Sequence, residues 1–191
     1  MEKYNIELFL LINGLNGSAI LDHVFVLITK YSPYLYAIIL IILYLFYNRD
    51  KALYVFYSSL LGLLLNLIIT IFYYHPRPFE LGLGHTLINH TIETSFPSDH
   101  ATLVFSISIS TIIFGKKSIG FLLFILAVII GFSRIYVGVH FPLDILGSFF
   151  VSIISVLIIY TLQSKLEKLN ILLNKIADKL LRRIPFINYK G

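Results

Sequence analysis

Cysteine and tryptophan are absent from these 191 residues, methionine occurs once, and charged side chains make up only 13%. Without cysteine there is no disulfide framework and no thiolate metal site, so the redox compartment is not written in the chain. The scarcity of charge says more. With 58% hydrophobic residues and a mean hydropathy of +0.86, the chain reads as a membrane protein rather than a soluble domain. The net charge of +5 does not indicate nucleic acid, because the basic residues stand beside apolar runs with no aromatic-basic interleaving suited to bases. A membrane-surface role suits them better. No internal repeat, linker or low-complexity segment divides the chain.

What is present is a series of apolar runs near the length a bilayer demands, about 20 residues for a helix. The first spans Ser32 to Tyr47 and closes on the polar turn from Asn48 to Lys51. The second runs from Ala52 to about Tyr74 and stops at prolines 76 and 78, which helices tolerate poorly. A third, short for a bilayer, starts at Ser98 and ends at the turn from Gly115 to Ser118. The fourth covers Ile119 to about Phe132, the fifth about Pro142 to Leu162. The expected fold is therefore all-α, a polytopic membrane helical bundle of about five transmembrane helices in one domain. Residues 1–31 mix apolar residues with Asn, Asp, His and Lys and are interrupted by Gly14 and Gly17. They read as two short interfacial helices, with a sixth span left open. Residues 32–162 form the transmembrane core. The tail over 163–191 contains, from Ser164 to Ile184, an amphipathic basic helix on a membrane face.

Five spans alternate sides. The turns at 48–51 and 115–118 and everything after 162 share one face, which holds eleven of the 15 lysines and arginines. The positive-inside bias makes that face cytoplasmic. The opposite, outer face receives "HPRPF", "FPSDHA" and "GFSRIYVGVHFPLD", and with them Arg77, Asp99, His100, Arg134, His140 and Asp144. An Arg or Asp at a span centre costs roughly 2.5 to 3.5 kcal/mol on insertion scales, so such residues mark pockets or pathways. Each has an ordinary structural alternative: Arg77 as a snorkelling anchor, His100 in a first helical turn, Asp144 as an N-terminal dipole partner after Pro142, Ser98 or Asp99 as a helix cap. Three such stretches on one face favour a site.

The residue types suit phosphoryl transfer without a metal. Two arginines are permanent bidentate donors for phosphate oxygens, and the helix starting at Ser98 offers unpaired N–H groups and a positive dipole end. The spacing His140-x-x-x-Asp144, broken by Pro142, lets the carboxylate orient one imidazole nitrogen and leaves the other as a nucleophile. His100 supplies a second imidazole to protonate a leaving oxygen. Metal ligation by His100, His140 and Asp144 is the competing use, and two converging guanidinium groups argue against it. His85 and His90 read by default as polar loop residues.

At these positions the chain resembles the type 2 phosphatidic acid phosphatase family, whose pattern is Lys-x6-Arg-Pro, then Pro-Ser-Gly-His, then Ser-Arg-x5-His-x3-Asp. Here the blocks read Arg77-Pro78, Pro97-Ser98-Asp99-His100, and Ser133-Arg134-x5-His140-x3-Asp144. The family's lysine falls on Thr70 and its glycine on Asp99. Those changes, with "PRPF", "SFPSDH" and "GVHFPLDILG", resemble the undecaprenyl-diphosphate phosphatase branch associated with bacitracin resistance. The resemblance implies His140 as a nucleophile forming a phosphohistidine, Asp144 orienting it, and His100 as acid and then base. Arg77, Ser98 and Arg134 hold the phosphate, with Asp99 beside them, and neither metal nor cofactor is required. The implied substrate is a polyprenyl diphosphate in the lipid of a bacterial inner membrane, hydrolysed at the outer face. The alternatives are phosphatidylglycerophosphate or phosphatidate as substrate, or a non-enzymatic headgroup carrier or scramblase.

Overall fold

The computed structural model describes residues 2–181, and among them it is helical with no strand. Six α-helices follow in order: α1 (Glu2–Asn13), α2 (Ala19–Phe46), α3 (Arg49–Phe72), α4 (Asp99–Phe114), α5 (Lys117–Tyr136) and α6 (Pro142–Leu181). A single 3₁₀ turn, Pro78–Leu81, interrupts the long connection between α3 and α4. Four helices, α2, α3, α5 and α6, are long and apolar enough to cross a membrane. The 16 residues of α4 reach only about 24 Å at 1.5 Å per residue. Its neighbours compensate, because α4 packs against α2, α3, α5 and α6 together.

Small and hydroxylic residues make that central position possible. On α4, Thr102, Ser106, Ser108, Ser110 and Thr111 are all buried, and Ser148, Ser152 and Ser155 face them from α6. The hydroxyls of Ser108, Ser110 and Thr111 are satisfied one turn back, as when Ser108 Oγ donates to the Val104 carbonyl at 2.6 Å, whereas Thr102 and Ser106 bond Asn66 of α3 and Ser155 of α6. Across the seam, Ser148 and Ser152 of α6 donate to the carbonyls of Ser98 and Thr102, at 3.0 and 3.1 Å. Small side chains let helix backbones approach in lipid, where no hydrophobic force draws them together. Gly62 of α3 completes the seam: a Cβ there would stand 2.8 Å from Ser106 Oγ.

The structure divides residues 1–31 differently from the sequence expectation of two interfacial helices. Only one break exists, at Gly14 to Ser18, where Gly17 takes φ +116° and its N–H donates to Asp22. Beyond it, α2 runs 28 residues without interruption and passes through Pro33. The polar residues that suggested an interface are satisfied against α5 instead. Tyr136 donates to Asp22 at 2.7 Å, and Thr29 bonds Ser133 at 2.9 Å, so the helix enters the bundle rather than lying on it. α1, at 12 residues, is too short for a sixth span and packs on α5 and α6.

The fifth span and the amphipathic tail are likewise one helix, the 40 residues of α6. Its far half is docked on α2 and α3. Tyr57 donates to Asn170 and Tyr44 to Asn174, both at 2.9 Å, and Arg49 pairs with Asp178 at 2.5 Å. Leu169, Leu172, Ile176 and Leu180 remain exposed, as an amphipathic helix at a membrane requires. The end of the expected tail helix, with Arg182 and Arg183, lies outside the described residues.

Candidate active site

The chain crosses the bundle so that the α3–α4 connection, the α5–α6 junction and α1 gather at one end. Asn13 of α1 ties them together. Its Nδ2 donates to the carbonyls of His85 and Tyr136, each at 2.8 Å, and its Oδ1 accepts from the His85 N–H at 2.7 Å. The α5–α6 junction turns at Gly138, where φ is +85° and a Cβ would fall 2.3 Å from the His85 carbonyl oxygen. Only glycine serves both the left-handed backbone and the close approach.

That turn delivers His140, 2% exposed, into the space between two arginines. Arg77 Nη1 lies 3.2 Å from His140 Nε2, and Arg134 Nη2 lies 3.3 Å from the same atom. Guanidinium groups only donate, so Nε2 carries the lone pair and the ring proton is on Nδ1. At Nδ1 the nearest acceptor is the Ser95 carbonyl, at 2.9 Å, while Asp144 Oδ2 stands 3.5 Å away. Burial, together with the positive charges of Arg134 and Arg77, pushes the His140 imidazole well below its ordinary range against the opposing pull of Asp144. The ring is held neutral, with its Nε2 lone pair turned to the two guanidinium groups.

Asp144 is fully buried in the first turn of α6. Its Oδ2 accepts from the Phe141 N–H at 2.7 Å and from the Ser95 hydroxyl. The first of these is a reach-back to the residue preceding the helix, as in a capping box, so Asp144 fills its ordinary structural role while standing 3.5 Å from His140. Arg77, 4% exposed, leaves α3 through an extended segment. Its guanidinium donates to the carbonyls of Val139 and Glu93, at 2.9 and 3.1 Å, and pairs with the Glu93 carboxylate at 3.0 Å. Arg134 is 2% exposed, and its Nε has no partner. These two cations therefore converge on one point from separate elements.

The remaining expected residues fall at graded distances. Ser98 is buried as the α4 cap, accepting from the Ala101 N–H at 3.5 Å. His100 is half-buried in the first turn of α4, and the groups within its electrostatic reach are Arg134, His90 and Arg77. Asp99 is exposed and turned to α3, where its Oδ1 accepts from Asn66 Nδ2 at 2.8 Å. Thr70, at the position of the family's lysine, bonds only the Leu67 carbonyl of its own helix, at 2.9 Å. Of the two loop histidines, His90 belongs to the site, with Nε2 at 3.4 Å from Arg134 Nη2, while His85 contributes its backbone. Burial and the nearby Arg77 lower the His90 imidazole below its ordinary value.

Sequence reasoning does not single out Ser95, His75 or Glu93. Ser95 and Glu93 precede the Pro97-Ser98 block within one loop, and His75 stands two residues before Arg77. Their only sequence signal is proximity to those blocks. His75 Nδ1 lies 3.5 Å from Asp144 Oδ1.

Fold and site together define a polytopic membrane protein with a buried histidine set between two buried arginines. Residues 51–168 match the PAP2 superfamily, and the chain belongs to it. It is 44% identical to the undecaprenyl-diphosphatase BcrC of Bacillus subtilis (strain 168) over 154 residues, 78% of this chain and 79% of that one. It is 32% identical over 187 residues to the bacitracin transport permease protein BcrC of Bacillus licheniformis, covering 95% and 91% of the two chains. Among solved structures, the crystal structure of Aquifex aeolicus LpxE superposes with a TM-score of 0.73 at 32% identity, over 83% of this chain and 95% of that one.

Proposed function

We propose that the protein hydrolyses undecaprenyl diphosphate to undecaprenyl phosphate and inorganic phosphate at the outer face of the bacterial inner membrane. By this reaction it recycles the lipid carrier of cell-wall synthesis and confers bacitracin resistance. The observation that carries the chemistry is the placement of His140 Nε2 between Arg77 and Arg134, with Nδ1 turned to Ser95 and Asp144. The substrate reading is supported by the 44% identity to an undecaprenyl-diphosphatase.

The terminal phosphate settles on the two guanidinium groups beside the α4 N-terminus, which together neutralise the charge of the transferring group. Nε2 attacks the terminal phosphorus as its bond to the bridging oxygen breaks, and undecaprenyl phosphate departs with that electron pair. His100 protonates the leaving oxygen. It then accepts a proton from water, whose oxygen attacks phosphorus, breaks the P–N bond and releases inorganic phosphate. Asp144 and the Ser95 carbonyl stabilise the positive charge that spreads onto the His140 ring during attack. A divalent ion at Nε2 would face both arginines, so the residues present favour the metal-free route.

His140→Asn is expected to abolish turnover while leaving lipid binding largely intact, because the cradle is built from other residues, and Asp144→Asn is expected to be less damaging. Acid quenching of the wild type during turnover should trap phosphate on protein. Full activity in His140→Asn, or faster turnover of phosphatidate than of prenyl diphosphate in matched micelles, would overturn the corresponding half of the reading.

A further inference from the structure

The carboxylate that supports the nucleophile has two oxygens, and only one of them faces it. Asp144 Oδ2 takes the Phe141 N–H, the Ser95 hydroxyl and the His140 side. Oδ1 points the other way and has no hydrogen-bond partner, although the residue is wholly buried. A buried carboxylate oxygen left unpartnered is costly, so what it faces matters. It faces His75 Nδ1, 3.5 Å away, itself buried and without a hydrogen bond.

His75 is fixed from several sides. Its N–H donates to Thr94 Oγ1 at 3.1 Å, and its carbonyl accepts from the Ser95 N–H at 2.7 Å. Tyr73 stacks on the ring, with centroids 6.1 Å apart and planes at 10°, and Phe141 meets it edge-on. The ring also lines a cavity of about 360 Å³ between α1, α3 and α6, which Glu2, Asn5 and Asp144 line as well. Its Nε2 stands 4.0 Å from Glu2 at the mouth. Asp144 from α6 and Glu2 from α1 are the charged groups that face it. Arg77, two residues along the same segment, sends its guanidinium to His140 instead.

We propose that His75 is a positioning residue that shares the nucleophile's carboxylate: neutral, it secures Asp144 through Oδ1, and protonated, it draws that carboxylate's charge away from His140. The inference rests on His140 as nucleophile. During attack the His140 ring becomes positively charged, and Asp144 is its counter-charge. A second cation on Oδ1 opposes that change, so protonating His75 slows the chemical step and leaves phosphate binding alone. Asp144 raises the His75 imidazole above its ordinary value. The sign follows. The support is present at pH above the His75 value and is lost as pH falls through it, in a range where His140, pushed the other way, stays neutral. Access through the cavity lets His75 exchange protons with the outside without disturbing the pocket.

The test is kcat and KM against pH in detergent micelles for wild type, His75→Gln, His75→Ala and His140→Asn. Wild type should show an acid limb in kcat, falling about tenfold one pH unit below the His75 value, with KM flat. Glutamine keeps an N–H for Oδ1 but does not titrate, so the limb should move down by at least about one pH unit. Alanine should lower kcat at every pH, and the glutamine variant should recover it. An acid limb unmoved in His75→Gln, with His140→Asn inactive, overturns the sharing of Asp144 alone. Activity in His140→Asn overturns the nucleophile assignment. Should the variants not fold, NMR titration of the His75 ring in the wild-type protein decides: a ring titrating below the acid limb of kcat refutes the inference.

Discussion

Ser95 shows how much a single small residue contributes to this site. Its carbonyl accepts from His140 Nδ1 and its hydroxyl donates to Asp144 Oδ2, so it joins two side chains that stand 3.5 Å apart. Ser95→Ala keeps the carbonyl and removes the hydroxyl. A hydrogen bond to a charged group contributes about 1.5–3 kcal/mol, so kcat should fall by about 10- to 150-fold with KM unchanged. Steady-state kinetics on the purified variant checks this. The spacing of Arg134, His140 and Asp144 made these residues legible because a histidine four positions before a carboxylate, with a proline between, has few geometries. Ser95, His75 and Glu93 were not legible. Their roles arise where a long loop folds back on the α5–α6 junction, and no local periodicity encodes that meeting. Asp99 shows the converse: its place beside the cradle in sequence did not predict that Asn66 would hold it to α3.

At the scale of elements, the apolar runs located the spans, while the joins between them were decided by tertiary partners. Polar residues such as Asp22 and Thr29 weaken a sequence run, yet Tyr136 and Ser133 satisfy them and α2 continues. The tail reads as a separate helix because its composition changes after Leu162, but nothing there breaks the backbone. Close helix contact is the other feature invisible to hydropathy. At Gly120 of α5 a Cβ would fall 2.5 Å from the Ile112 backbone nitrogen of α4. Gly120→Val must push α5 away from α4, and overpacking of this kind costs about 1–3 kcal/mol. Its thermal midpoint in detergent should drop by several degrees. Activity well below the midpoint should stay near wild type, since the site lies at the other end of both helices.

For the molecule as a whole, the charge distribution and the site define opposite ends. The turns at Asn48 and Lys116 and the far half of α6 carry most of the basic residues, whereas the loops at the other end enclose His140. Cysteines placed at the exposed positions Thr86 and Asn89 should react with an impermeant reagent applied to intact cells, and one at the exposed Ser118 should not. The reverse pattern would put the site on the cytoplasmic side and remove any role in recycling a carrier outside.

The ion pair between Arg77 and the half-exposed Glu93 gives the buried guanidinium a resident anion. If Arg77 takes the lipid phosphate as proposed, substrate arrival is an exchange, with a phosphate oxygen displacing the Glu93 carboxylate from the guanidinium group. The same exchange runs backwards at the end of the cycle. On the proposed reaction, the inorganic phosphate left on the two arginines would be displaced by the tethered Glu93 carboxylate returning to Arg77.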